Sequence, residues 1–190
     1  MDTLILIRHA NPEIDPALPA AQWRLSARGR ERCALLAEGL APFRPQAVIT
    51  SEEPKAEETG QLVAEFFGLP AASHPGLQEQ DRREAGFLSP ENFRKSVLNV
   101  FRHPEARVFG TESAREAQIR FRDALHAALA GYPAGNIALV SHGTVIALFA
   151  ALYNPQPAEE IWTQLTQSMP SFLVLSRPDY RLLGVETFEE

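Results

Sequence analysis

The sequence predicts an α/β fold, a three-layer sandwich in which helices cover both faces of a mostly parallel sheet. Three observations predict it. Leu4–Ile7 and Ile137–Val140 are short, unbroken apolar runs, the pattern of strands buried on both faces. Strand and helix patterns alternate as β-α-β-α between residues 4 and 70, which favours parallel pairing. Each apolar run also stops abruptly at polar residues, Arg8-His9 after the first and Ser141-His142 after the second.

The elements follow in order. Leu4 to Ala10 is a central strand ending in Arg8-His9, at the sheet edge where open α/β folds bind ligands. A cation beside an imidazole suits an anionic substrate and a nucleophile or base. Taken alone, the pair reads equally well as a strand end with two exposed polar residues. Asn11-Pro12 opens an irregular loop. Ser26 is an N-cap, and Cys33, Leu36, Ala37 and Leu40 at i, i+3, i+4, i+7 give a helix over 27–40. Ala47–Thr50 is a second strand. Ser51 caps the next helix, with Pro54 in its first turn and Thr59, Leu62, Val63, Phe66 and Phe67 as its apolar stripe. Gly68 and Pro70 stop it.

Leu77-Gln78-Glu79 is a brief strand or a turn. The stretch from about 80 to 110 breaks the alternation and is an insertion with a helix over 90–103, either lying over a pocket or merely packing. Ser113 and Glu116 form a capping-box pattern for a helix reaching about Ala130. Ile137–Ser141 is a strand, followed by helices over 145–153 and 158–165. The segments 171–177 and 180–188 are two strands joined at Pro178-Asp179.

Length and composition bound the function. At 190 residues the chain is one domain, 1–190, carrying the insertion. A net charge of −6 gives no basic footprint, so nucleic acid is not an expected partner. The single cysteine, Cys33, excludes a disulfide framework and a cysteine-based zinc site, and it falls on a helix's apolar stripe. The N-terminal apolar run is too short for a signal peptide or a membrane helix, so the expectation is a cytoplasmic protein without a membrane partner. The C-terminal strands leave an edge compatible with a monomer or a homodimer.

In a parallel sheet the three strand ends lie on one edge. That edge collects Arg8, His9, Ser51, Ser141 and His142, with Lys55 one turn into a helix and Gly143-Thr144 at another helix start. Helix N-termini offer free N–H groups and a favourable dipole to an anion. A phosphoryl group suits this set best, and a carboxylate is the weaker alternative.

The motifs also form an ordered set: Leu6-Ile7-Arg8-His9-Ala10, Leu25-Ser26 with Arg28-Gly29, Ser51 to Thr59 (SEEPKAEET), Leu77-Gln78-Glu79, Gly110-Thr111-Glu112-Ser113 and Val140-Ser141-His142-Gly143. Over nearly the whole chain this set resembles the histidine phosphatase superfamily, its phosphoglycerate-mutase-like branch. There the first segment is an Arg-His-Gly motif and the third reads Ser-Pro-Leu-x-Arg-Ala-x-x-Thr. The resemblance implies a phosphoglycerate-mutase-like fold and a metal-independent phosphomonoester hydrolase acting on a small phosphorylated metabolite. It implies His9 as the nucleophile that becomes phosphohistidine, and Arg8 and His142 as the groups neutralising the phosphoryl oxygens. Glu79 would be the acid for the leaving alkoxide and the base for water. Lys55, Asn11 and Gly143 complete the implied phosphate-binding set, Asn11 also reading as a turn residue.

Two departures stand out. Lys55 replaces the family's second Arg, supplying a point charge without a bidentate fork. Arg28, Arg82 and Arg83 are the neighbouring candidates to compensate. The stretch after Glu79, QDRREAG, lacks the usual aromatic-Gly run and makes Asp81 and Glu84 rival acids. A metal held by His9, His142 and carboxylates is disfavoured by the cations sharing the pocket, so no metal and no cofactor are expected. His74, His103 and His126 read as solvated or hydrogen-bonding residues. Two alternatives to hydrolysis stay open. A phosphoglycerate-type mutase usually has a longer chain, and a non-catalytic phospho-ligand binding protein is favoured by Lys55. Specificity falls to the 11–24 loop and the 80–110 insertion.

Overall fold

The computed structural model describes residues 1–188. Its strands are β1 (Thr3–Arg8), β2 (Ala47–Thr50), β3 (Ala71–Ser73), β4 (Ile137–Ser141), β5 (Ser171–Ser176) and β6 (Leu182–Thr187). They form one six-stranded sheet in the order β3-β2-β4-β1-β5-β6. β1, β2, β3 and β4 run parallel, and β5 is antiparallel to both of its neighbours. The predicted mostly parallel sheet is therefore present.

The unbroken apolar run of β1 follows from burial on both faces. Leu4 and Leu6 pack with Leu139, Leu173 and Leu175 on one face, against α3 (Pro90–Arg102), α4 (Ala114–Leu129), α5 (Gly143–Ala150) and α6 (Ala158–Leu165). Ile5 and Ile7 pack with Val48, Val140 and Phe172 on the other, against α1 (Ala27–Leu40) and α2 (Pro54–Phe67). Among the described residues no helix is long and apolar enough to cross a membrane.

Local signals place the helix ends. Ser26 Oγ accepts from Gly29 N at 3.0 Å to cap α1. Ser113 and Glu116 form the expected capping box on α4. Gly68 ends α2 in the left-handed conformation that a side chain disfavours.

Several expectations are corrected. The N-cap of α2 is Glu53 rather than Ser51, with Pro54 at N1. The buried stripe of α2 is Ala56, Thr59, Gly60, Val63 and Ala64, and Phe66 is exposed. Gly60 permits this close approach, because a Cβ there would meet Thr50 Cγ2. β3 was invisible in the sequence because Ala71-Ala72-Ser73 is a short, partly exposed edge without an apolar run. Leu77-Gln78-Glu79 is irregular rather than a strand. α5 starts at Gly143, two residues before the expected helix, and ends at Ala150. Within the 80–110 stretch, α3 buries Val97 and Val100 in the core, while Phe93 near its start turns toward Arg82.

Candidate active site

The register of the sheet brings the two histidine motifs together. Arg8 is paired with Ser141 across β1 and β4, and the chain just beyond continues the pairing, with His9 N donating to Ser141 O at 3.1 Å. Ser51 N likewise donates to Val140 O at 2.9 Å, so the end of β2 joins the same edge. The His9 and His142 rings lie 5.2 Å apart between centroids, edge to face.

His9 is buried, with Nδ1 2.8 Å from the Ala10 carbonyl. A carbonyl only accepts, so Nδ1 carries the hydrogen, and Nε2 has no hydrogen-bond partner among the described residues. Burial, then the charges of Lys55 and His142, hold its pKa well below 6.5, so the ring is neutral and the Nε2 lone pair is available at neutral pH. Ala10 N donates to Thr59 Oγ1 at 3.1 Å, fixing the backbone behind the ring. That contact explains the Thr at the end of the SEEPKAEET segment.

His142 is buried and neutral for similar reasons, burial first and Lys55 second. Its Nε2 meets Ser51 Oγ at 2.9 Å and lies 3.5 Å from Glu53 Oε1. Its Nδ1 is buried with no partner among the described residues. Ser51 therefore orients the second histidine instead of capping α2.

Arg8 is held by two carbonyls, Leu165 O at 3.3 Å and Ser168 O at 3.1 Å, in the turn between α6 and β5. Burial lowers its pKa to about 10, against the pull of Glu79, which leaves it charged at neutral pH. Gly143 opens α5 against Arg8, where a Cβ would lie 3.6 Å from Arg8 Cδ.

Glu79 is the carboxylate that the fold brings to this edge. Its Oε2 accepts from Thr144 N at 3.2 Å in the first turn of α5, and its Oε1 accepts from Gln80 N at 2.8 Å. Burial pushes its pKa up, but Arg82, His142 and the Gln80 N–H outweigh burial and leave it below 4.5. Arg120 supports the segment by donating to Gly76 O, Gln78 O and Glu79 O while paired with Glu112 at 2.7 Å. The rival acids are elsewhere. Asp81 is bound to Arg83, whose hydrogen bonds hold it at about 2, and Glu84 is exposed in a short 3-10 turn.

Lys55 is buried but engaged. Its Nζ donates to Ala20 O at 2.6 Å and to Glu53 Oε2. Glu53, whose Oε1 also accepts from Glu79 N at 2.9 Å, is a site residue that sequence reasoning missed. The signal was present: an acidic residue stands where the resemblance places an apolar Leu. Of the candidate compensating arginines, Arg82 enters the site, while Arg83 and Arg28 are exposed. Arg82 Nη2 donates to Thr144 Oγ1 at 2.9 Å and lies 3.3 Å from Glu79 Oε2.

Asn11 follows His9 by two residues. Its carbonyl accepts from Ser26 N and Ser26 Oγ, while its Oδ1 is buried without a partner among the described residues. Gly29 allows this packing, since a Cβ there would lie 2.1 Å from Asn11 O. His74, His103 and His126 lie outside the cluster, His126 stacking on Tyr180. Cys33 is buried, and burial raises its thiol to about 12. Among the described residues no group of three or more His, Cys, Asp or Glu side chains is placed to hold a metal ion.

The arrangement can bind a dianion between two neutral imidazoles and fixed cations, with a carboxylate alongside. The chain is similar to known proteins to different depths. A probable phosphoglycerate mutase, GpmB, of Cronobacter sakazakii is 27% identical over 141 residues, covering 70% of this chain. The match covers 65% of that relative, so the chain spans just under two thirds of its length. A mycobacterial glucosyl-3-phosphoglycerate phosphatase superposes with a TM-score of 0.77 at 19% identity, covering 98% of both chains. A mutant phosphoserine phosphatase of Entamoeba histolytica, in complex with phosphoserine, gives 0.74 at 15% identity, covering 97% of this chain and 96% of the other. These structural likenesses establish the phosphoglycerate-mutase-like fold. The sequence model of the histidine phosphatase superfamily, branch 1, matches residues 4–182, which take in β1 to β5 and every motif named above, and the chain belongs to that superfamily.

Proposed function

We propose that the protein is a metal-independent phosphomonoester hydrolase that acts on a small phosphorylated metabolite through a phosphohistidine at His9. One observation carries the reading. The hydrogen bond from His9 Nδ1 to Ala10 O leaves Nε2 with a free lone pair, on a ring 5.2 Å from that of His142 and close to the Arg8 and Lys55 charges.

In the first step His9 Nε2 attacks phosphorus as the ester P–O bond breaks. Arg8 and His142 Nδ1 meet the phosphoryl oxygens, with charge in place before reaction. Glu79, protonated, gives its proton to the leaving alkoxide. In the second step water attacks phosphorus, Glu79 takes its proton, and the P–N bond breaks to release phosphate and neutral His9. In the free protein Glu79 is an anion stabilised by Arg82 and His142. Phosphate competes for those same partners, which raises the acid's proton affinity once substrate is bound.

The relative named as a probable mutase favours a second reading, phosphoryl transfer back to the same molecule. Turnover on a panel of phosphate esters with chelator present, with product analysis and acid-labile phosphoprotein trapping, tests both. Hydrolysis that survives chelator and disappears with its phosphoprotein in His9→Ala is the expected result. Isomerised substrate would replace the hydrolase reading with the mutase. Tight phosphate binding without turnover or phosphoprotein would replace both with a phospho-ligand binding protein.

A further inference from the structure

The family position for a second arginine holds Lys55, and its charge is already committed to Glu53 and Ala20 O. With Lys55 engaged, Arg8 has room for a second cation beside it at the phosphoryl group. We propose that Arg82, from the 80–110 stretch, is that cation: a phosphate-contacting guanidinium supplied by the insertion instead of α2. The proposal rests on the phosphatase reading above.

Four observations carry it. The Arg82 side chain is nine-tenths buried, at 10% exposure. Its Nη1 is buried with no partner among the described residues, while Nη2 is anchored on Thr144 Oγ1 and beside Glu79. His142 Nδ1, on the residue two before Thr144, is the other unmatched buried nitrogen at this strand end. With Ser51 Oγ donating to His142 Nε2, the His142 Nδ1 hydrogen and the Arg82 Nη1 hydrogens are unmatched donors that an oxyanion with several lone pairs would satisfy together.

The guanidinium is also held in place before any ligand arrives. It sits over the edge-to-face pair of Phe93 and Phe109, at 5.1 Å and 5.2 Å from their centroids. These cation–π contacts restrain the group without consuming an N–H. The backbone is clamped as well. Thr111 N donates to Asp81 O at 2.9 Å, and Asp81 N donates to Glu112 Oε2 at 3.0 Å. Gly110 has φ +94°, and a Cβ there would sit 2.2 Å from Asp81 O and 2.6 Å from Arg82 Cα. The Gly110-Thr111-Glu112 segment thus fixes the strand of chain from which Arg82 projects. A merely structural arginine would be expected to use all its donors within the protein, and this one does not.

The test measures affinity for inorganic phosphate and orthovanadate by calorimetry in wild type, Arg82→Met and Arg82→Lys, with melting temperatures recorded for each. Arg82→Met is expected to weaken both anions at least about tenfold, the loss of a charge-assisted contact. Added guanidinium ions are expected to restore part of it. Arg82→Lys keeps the charge without the fork and should fall between the two. Affinity in Arg82→Met within twofold of wild type would overturn the assignment and leave the phosphatase reading standing. So would a loss that appears only as fewer folded molecules, with Arg82→Lys binding as wild type. Wild type that binds neither anion would overturn the phosphatase reading and the assignment together.

Discussion

Removing one member of the Glu53–Lys55 pair should destabilise the fold far more than removing both. The side chains are 8% and 6% exposed, so either charge left alone is stranded away from water. Breaking a buried pair from one side typically costs ~3–5 kcal/mol, whereas replacing the pair as a unit is often close to neutral. In Lys55→Met the Glu53 carboxylate keeps only the Glu79 N–H and the neighbourhood of His142 Nε2, which places the expected cost near the lower end, ~3 kcal/mol. In Glu53→Gln, Lys55 keeps Ala20 O and the amide oxygen as acceptors but loses the opposite charge, and a similar cost is expected. For a chain of this size each kcal/mol lowers Tm by about 2–4 °C, so either single variant should melt about 6–12 °C early. The double variant Glu53→Gln/Lys55→Met should lie within ~1.5 kcal/mol of wild type, giving a coupling energy above ~2 kcal/mol in urea denaturation. Singles that add within ~0.5 kcal/mol, or a Lys55→Met cost below ~1 kcal/mol, would refute the claim that the two charges depend on each other.

Three further outcomes are expected. Both buried histidines have folded pKa values below 6.5, so on acidification the unfolded chain binds protons first; stability is full above about pH 7 and falls below it. Each histidine contributes up to ~1.4 kcal/mol per pH unit to that decline, and a thermal-melt profile as steep in His9→Gln as in wild type would contradict it. Glu79 is also depressed, and as the acid it must be protonated to act, so kcat/KM should be higher at pH 5 than at pH 8; an alkaline optimum would remove Glu79 from that role. Gly29→Ala should cost about 1–3 kcal/mol in urea denaturation by driving Asn11 O away from α1, and a cost below about 0.5 kcal/mol would show that the loop yields freely.

What was legible in the sequence was whatever local pattern decides. The two apolar runs disclosed β1 and β4 because burial on both faces leaves no alternation to blur. Ser26 and Ser113 marked the starts of α1 and α4 because capping is a contact between residues three apart. β3 escaped because an edge strand is defined by its neighbour β2 and not by its own composition. The histidines, Arg8 and Glu79 were found as motifs; strand register brings the first three together, and Arg120 and Thr144 N hold Glu79 beside them. Glu53 and Arg82 were different. Whether Lys55 is free depends on a carboxylate two residues earlier folding back onto it, and whether Arg82 is near depends on Phe93, Phe109 and Gly110, up to 28 positions away. Such facts belong to tertiary packing, and no periodicity reports them.

The strand order also has a kinetic meaning. β1 and β2 are separated in the sheet by β4, which comes later in the chain than either. During synthesis the first two strands therefore emerge with a gap between them, and β4 must slide into that gap to complete the parallel ladder. Long-range insertions of this kind raise contact order and slow folding. His9 meets His142 only when the insertion is complete. A nascent or misassembled chain therefore carries half a site on each of two unjoined pieces. The candidate site is therefore assembled in the same event that completes the parallel ladder, and a chain that has not reached it lacks the site.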